Sequence, residues 1–186
     1  MSRIKVISYE QATGRLKEIY DELIIKRSKL ADVHTIQSLH PESIVKHIDL
    51  YLEIMFSKSE LSRAEREMMA VVVSRTNGCV YCQKHHAEAL NNYWKDAAKT
   101  ENFRISYSNV HLNDKELILC QFAEQLTKNP ESAEKNDITE DLKTAGLTDN
   151  AILDATLVVA YFNFVNRIVL ALGVELEKDS GTGYNY

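Results

Sequence analysis

The sequence predicts an all-α fold in a single domain, and three observations carry that prediction. Apolar residues recur at three- and four-residue intervals along most of the chain, the signature of helices with one buried face. Only two prolines and six glycines occur, most of them where helices would begin or end. No convincing strand run, fixed-period repeat or domain linker breaks the pattern. With 186 residues and 45% apolar content the chain has enough material for one ordinary core. Folding at this length buries roughly two-thirds of the unfolded surface, so neither disulfides nor a structural metal is needed for stability.

The elements follow in order. Between Tyr9 and Leu30, the residues Leu16, Ile19, Tyr20, Leu23 and Ile24 fall at helical spacing. Pro41 suits a first helical turn, and Ile44, Val45, Ile48, Leu52 and Met55 make the next stripe. Ser62 with Glu65 forms a capping box, which starts a helix carrying the apolar run Met68 to Val73. Asn77-Gly78 ends it, since both residues accept the left-handed conformation. A further helix begins at Cys79 and runs to about Trp94, followed by a polar stretch, Lys95 to His111, that reads as a loop or a short extra helix. Asn113 with Glu116 repeats the capping box, and Asn129-Pro130 stops that helix. A short helix spans Ile138 to Ala145, closed by Gly146. Thr148 then caps a long helix, apolar on nearly every side and therefore expected at the centre. Gly173 ends or bends it. Residues 1–178 form the domain, and 179–186 have the composition of a flexible tail.

Charge narrows the function. The 22 Lys plus Arg against 27 Asp plus Glu leave a formal charge of -5, which argues against nonspecific nucleic-acid binding and for small molecules or proteins as partners. Met1 to Tyr9 lacks the apolar core of a signal peptide. The apolar stretch Ala151 to Leu172 carries Asp154, Asn163, Asn166 and Arg167, an unfavourable composition for a membrane span. A reducing, cytoplasmic setting is the expectation. Three cysteines, Cys79 and Cys82 together and Cys120 apart, suit thiol or metal chemistry better than a disulfide scaffold.

Cys79-Val80-Tyr81-Cys82 sets two thiols three residues apart, with His85 and His86 following. At about 100° per residue, Cys79, Cys82 and His86 share an arc of roughly 60° on one helix face, while His85 points away. Cys79 sits near a helix N-terminus, where exposed N–H groups favour a thiolate. One turn after Cys82, His86 can exchange a proton with it. Glu67 lies twelve positions before Cys79, and the Asn77-Gly78 turn folds its helix back so that the carboxylate can orient His86. The residues suit two chemistries, a redox dithiol or a zinc site made from Cys79, Cys82, His86 and Glu67.

A glutamate, a CxxC and a histidine four residues after the second cysteine make a pattern that resembles the AhpD-like alkylhydroperoxidases of the carboxymuconolactone decarboxylase superfamily. The run Asn77-Gly78-Cys79-Val80-Tyr81-Cys82-Gln83-Lys84-His85-His86 is similar to the peroxidase-related branch, as are Gly146 to Asp149 and Tyr161 to Arg167. The similarity extends from about 44 to 176. It implies an AhpD-like multi-helix orthogonal bundle assembling as a homotrimer or homohexamer, with peroxidase or disulfide reductase activity. By position, Cys82 would be oxidised to a sulfenic acid, Cys79 would be its partner, and Glu67 and His86 would relay protons. No bound cofactor is implied; the substrate is a peroxide and the reductant an external dithiol or lipoyl-type group. Tyr81 departs from the pattern, standing where well-characterised members place a second histidine. Zinc enters only under the noncatalytic alternative, and a lactone decarboxylase-like activity is a third reading.

The remaining residues have plainer readings. His85 is read as exposed or packing, Cys120 as core between Leu117 and Phe122, and Tyr161, Phe162 and Phe164 as core or interface. Asn163, Asn166 and Arg167 need hydrogen-bond partners if buried, and another subunit is one place to find them.

Overall fold

Two capping boxes fix the starts of two helices that pack on each other at the core. Ser62 accepts from the Glu65 N–H at 3.2 Å while the Glu65 carboxylate accepts from the Ser62 N–H at 2.6 Å, and Asn113 with Glu116 makes the same pair of bonds. The computed structural model describes residues 2–134 and 136–177, so the sequence-predicted tail at 179–186 lies outside the described residues. The helices are α1 (Gly14–Arg27), α2 (Asp32–Thr35), α3 (Pro41–Phe56), α4 (Arg63–Thr76), α5 (Val80–Trp94), α6 (Ala97–Ile105), α7 (Asp114–Lys128), α8 (Glu140–Thr144) and α9 (Asp149–Leu172). Short 3₁₀ turns occupy Tyr107–Asn109 and Pro130–Glu134, and no strand occurs among the described residues. The all-α prediction therefore holds. The polar stretch after Trp94 contains a true helix, α6, whose N-cap Asp96 accepts from the Lys99 N–H at 2.9 Å.

The centre of the bundle differs from the expectation. The hub is α4, which is buried without a break from Glu65 to Ser74 and packs on α5, α7 and α9. Its apolar residues are short or flexible, Ala70, Val71, Val72, Val73, Met68 and Met69, so neighbours approach from every side. Its charged start escaped the apolar count because those charges are buried and paired. Arg66, 4% exposed, spends its guanidinium on the carbonyls of Ile54, Ser57 and Leu61 and so ties α4 to the end of α3. By length and composition α9 could cross a membrane. In the fold one of its faces carries Ala155, Val158, Val159, Phe162 and Val165 into the core, while Leu153, Leu157 and Phe164 are exposed.

The polar residues of α9 find partners inside this chain. Asn77 Nδ2 donates to both Asn163 Oδ1 and Asn166 Oδ1 at 3.0 Å. Asn166 Nδ2 donates to Ser74 Oγ at 3.2 Å, and Asn163 Nδ2 to Thr127 Oγ1 at 3.0 Å. Arg167 donates back to the carbonyl and side-chain oxygens of Asn163 at 2.8 Å. No second subunit is required to satisfy them. At the C-terminal end of α9, Gly173 turns left-handed at φ 69, and the Arg3 guanidinium caps the carbonyls of Leu170 and Ala171. A smaller core, built from Leu16, Ile19, Tyr20 and Leu23 of α1 against Ile44 and Ile48 of α3, attaches the N-terminal helices.

Asn166 is fully buried and joins the α4–α5 turn to α9, so Asn166→Ala should cost about 1–3 kcal/mol by removing the donor to Ser74 Oγ and leaving Asn77 Nδ2 with Asn163 alone. Urea unfolding should show a lower midpoint at unchanged slope. A loss below about 0.5 kcal/mol would mean that water replaces the amide freely.

Candidate active site

The turn between α4 and α5 builds the site. Asn77 closes α4 with ordinary helical geometry, and Gly78 alone takes the left-handed conformation, at φ 70. The Cys79 N–H then donates to Ser74 O at 2.8 Å, which makes Cys79 the N-cap residue of α5. One turn into α5 follows Cys82. Both thiols are free and buried, Cys79 at 0% and Cys82 at 2% exposure.

The two thiols titrate as a pair. A hydrogen bond from Cys82 lowers the Cys79 thiol below its usual range, against the opposing effect of burial. Cys82 is pushed well up, first by that same bond and then by burial. Thus the first proton leaves the pair readily, and the one that remains is shared between the sulfurs and held strongly. Access separates them. Cys82 lines a cavity of about 70 Å³, several times what one water needs, while Cys79 borders a different, open groove beside Val80, Leu170 and Gly173.

His86 lines the same cavity as Cys82, and its orientation is fixed from behind. Its Nδ1 lies 2.6 Å from Glu67 Oε2. Glu67 is completely buried, and Arg63 Nε donates to its other oxygen at 2.9 Å, with Nη2 on the same oxygen. Burial pushes this carboxyl up, but His86 and Arg63 outweigh it and hold the group below the ordinary carboxylate range. An ionised Glu67 can only accept, so His86 Nδ1 carries a proton toward it and Nε2 is the ring nitrogen left outside that bond. The edge of the His86 ring contact with Phe162, at 4.4 Å between centroids, sets its tilt.

The sequence-predicted residues Glu67, Cys79, Cys82 and His86 are therefore brought together. His85 requires a correction, because it is neither exposed nor mere packing. It lines the cavity too, with Nε2 2.8 Å from Glu177 Oε2. Tyr81, the departure from the resembled pattern, stacks on His85 at 4.3 Å and donates to Glu177 Oε1 at 2.8 Å. It also accepts from the Val33 N–H at 3.3 Å, so it tethers α5 to α2 and to the segment after α9. Glu177 arrives from more than ninety residues away, and no sequence signal announces it.

Sequence reasoning also missed the far wall of the cavity. It consists of Arg27, His34, His47, Tyr51 and Tyr161, the last read earlier only as core or interface. Burial first, and neighbouring cationic groups after it, lower His34 to about 3, and burial lowers His47 to about 4, so both are neutral at pH 7. His47 and Tyr51 stand four apart on one face of α3, the one pattern that a sequence reader could have used. Cys120, by contrast, is buried core as expected, its thiol raised by burial. The four residues considered for zinc do not fit a metal. Glu67 is spent on His86 and Arg63, and no group of three or more His, Cys, Asp or Glu among the described residues is arranged to hold an ion.

The sequence profile of the carboxymuconolactone decarboxylase family matches residues 44–99, the stretch from α3 into α6 that includes Glu67, Cys79, Cys82 and His86. The matched stretch is under a third of the chain. The AhpD-like fold extends over nearly all of it. An uncharacterized peroxidase-related protein with an alkylhydroperoxidase AhpD core from Ralstonia eutropha JMP134 superposes with TM-score 0.85 at 21% identity, covering 97% of this chain and 94% of that one. A peroxidase-related protein from Silicibacter sp. TM1040 gives 0.83 at 24% identity, with 97% of both chains covered. The debrominase Bmp8, as a Cys-to-Ala variant in complex with 2,3,4-tribromopyrrole, gives 0.78 at 16% identity, covering 97% and 96%. No curated protein sequence matches the chain.

The Glu177 carboxyl is held down to about 2; burial opposes this, and the His85 hydrogen bond and charge outweigh it, with help from Tyr81. A carboxyl lowered from its ordinary 4.5 adds stability that is present above about pH 4.5 and lost as pH falls toward 2. Urea midpoints measured from pH 6 to pH 2 should therefore fall less steeply in Glu177→Gln than in the parent. Parallel slopes would show that Glu177 is not held in this way.

Proposed function

We propose that the chain is a thiol-dependent peroxidase that reduces a peroxide at Cys82 and closes a Cys79–Cys82 disulfide. The observation carrying this reading is that Cys82 and His86 line one cavity while Glu67 holds His86 by Nδ1 and leaves Nε2 outside that bond. His86 takes the first proton from the thiol pair. The proton left between the sulfurs moves to Cys79, which puts the negative charge on Cys82 against the cavity. Cys82 then attacks the terminal peroxide oxygen: an S–O bond forms, the O–O bond breaks, and the departing oxygen leaves as water or alcohol with the proton from His86. Cys79 attacks the resulting sulfenic acid, releasing water and forming the disulfide. An external dithiol, small or lipoyl-type, returns two electrons. Apolar side chains left exposed along α9, Leu153, Leu157 and Phe164, support assembly into trimers or hexamers.

A second reading uses the same dithiol for reductive loss of halogen from a small aromatic ring, and the aromatic lining by Tyr51, Tyr161 and Phe162 favours it. Cys82 would take the halogen while a proton replaces it on the ring, and Cys79 would displace halide to give the same disulfide. Bromide release from 2,3,4-tribromopyrrole by reduced protein tests this use.

Stopped-flow oxidation of reduced protein by hydrogen peroxide and cumene hydroperoxide, with thiol counting and mass spectrometry, tests the first. The product should have lost two hydrogens on the Cys79–Cys82 peptide, and Cys79→Ser should trap a sulfenic acid at Cys82. His86→Gln should raise the pH midpoint of Cys82 alkylation and slow oxidation about 10²-fold, with a smaller loss in Glu67→Gln. Independent, stable alkylation of both thiols after peroxide treatment would rule out the dithiol cycle.

A further inference from the structure

Tyr51 stands on the cavity wall with Cys82 and His86, and the peroxidase cycle above gives it no role. Its hydroxyl is held from behind by cations. Arg63 Nη2 donates to Tyr51 Oη at 3.1 Å, and the Arg27 guanidinium lies 5.1 Å from the ring centroid. Arg63 is the same side chain that fixes Glu67, so one guanidinium positions both the carboxylate behind His86 and the phenol beside the cavity. The Arg63 plane is itself pinned, 3.6 Å from the Phe56 ring centroid.

The hydrogen-bond inventory then decides what the phenol can do. A phenolic oxygen has one proton to give as well as lone pairs to offer. Arg63 and Arg27 both approach the hydroxyl as donors and take up its lone pairs, and among the described residues no acceptor is paired with the Tyr51 proton. A donor left open on a cavity wall is available to a ligand bound there. Burial first, and the Glu67 charge after it, raise the Tyr51 hydroxyl above its ordinary value, so it stays protonated and acts as a donor throughout the neutral range.

We infer that Tyr51 is a catalytic residue that donates a hydrogen bond to the leaving oxygen of the peroxide as the O–O bond breaks. This rests on the peroxidase reading and adds a second group to it. As Cys82 forms the S–O bond, the electron pair of the O–O bond collects on the departing oxygen; Tyr51 stabilises that developing charge without losing its proton, and His86 supplies the proton that completes the water or alcohol. A preorganised donor is worth most where charge appears only in the transition state. The acid's work and the donor's work are thus divided between α5 and α3.

The test is Tyr51→Phe, which keeps the ring against Arg27, Phe56 and Tyr161 and removes only the hydroxyl. Oxidation of reduced protein by tert-butyl hydroperoxide should slow roughly 10- to 100-fold. Alkylation of Cys82 by iodoacetamide, which reports the thiolate alone, should keep its rate and pH midpoint. A peroxyacid, whose leaving carboxylate needs little help, should react at nearly the parent rate. Equal losses in all three reactions would make Tyr51 a structural residue, and an unchanged hydroperoxide rate would remove it from the reaction; either result overturns the inference with the dithiol cycle intact. A parent protein inert toward every peroxide would overturn the peroxidase reading and this inference together.

Discussion

A carboxylate with no access to water organises this molecule. Glu67 sits in the most buried helix of the bundle, and burial alone would drive its carboxyl to the neutral form. The Arg63 guanidinium one turn earlier and the His86 imidazole across the turn keep it ionised. That single charge state dictates the rest. It holds His86 by Nδ1, requires α4 and α5 to stay in register, and gives the Arg63 side chain a fixed plane from which to hold Tyr51. Were Glu67 neutral, the proton between it and His86 would have no defined owner and the base would face the cavity in either of two forms.

The thiols obey a different constraint. Their acidity and their accessibility point to different sulfurs: the lower-titrating Cys79 is the helix N-cap, whereas Cys82 is the one on the cavity with His86. In a coupled pair this is no conflict, since one proton can move between the sulfurs and the reacting tautomer need not be the resting one. The arrangement leaves the acidic thiol beside the position where a sulfenic acid would form, ready as the second nucleophile.

Much of the fold was legible because capping chemistry is local. Ser62 with Glu65, Asn113 with Glu116, Thr148 and Gly173 each mark a helix end with residues a few positions apart, and the structure uses all of them. The centre of the bundle was not legible. The charges of Arg63, Glu65, Arg66 and Glu67 look solvated in a linear reading, and only tertiary partners from α3, α5 and the α3–α4 connection make their burial tolerable. The site divides along the same line. Cys79, Cys82 and His86 share one helix face and one turn, so spacing locates them; Tyr51, His34, His47 and Glu177 come from α3, the α2 region and the segment after α9, where no periodicity connects them to the dithiol. His85 was misplaced because helix geometry gives its direction relative to α5 but says nothing about a cavity that wraps around more than one face of that helix.

The Tyr51, Arg63, Glu67 and His86 network crosses three helices, with the Arg63 guanidinium joining α3 to α4 and the Glu67 carboxylate joining α4 to α5, and this has a bearing on how the chain tolerates substitution. Removing Arg63 leaves the buried Glu67 anion on His86 alone, and removing Glu67 leaves the Arg63 guanidinium without its anion, so one substitution disturbs the phenol, the carboxylate and the imidazole together. The cost of a change at one of these positions therefore depends on which residues stand at the other three.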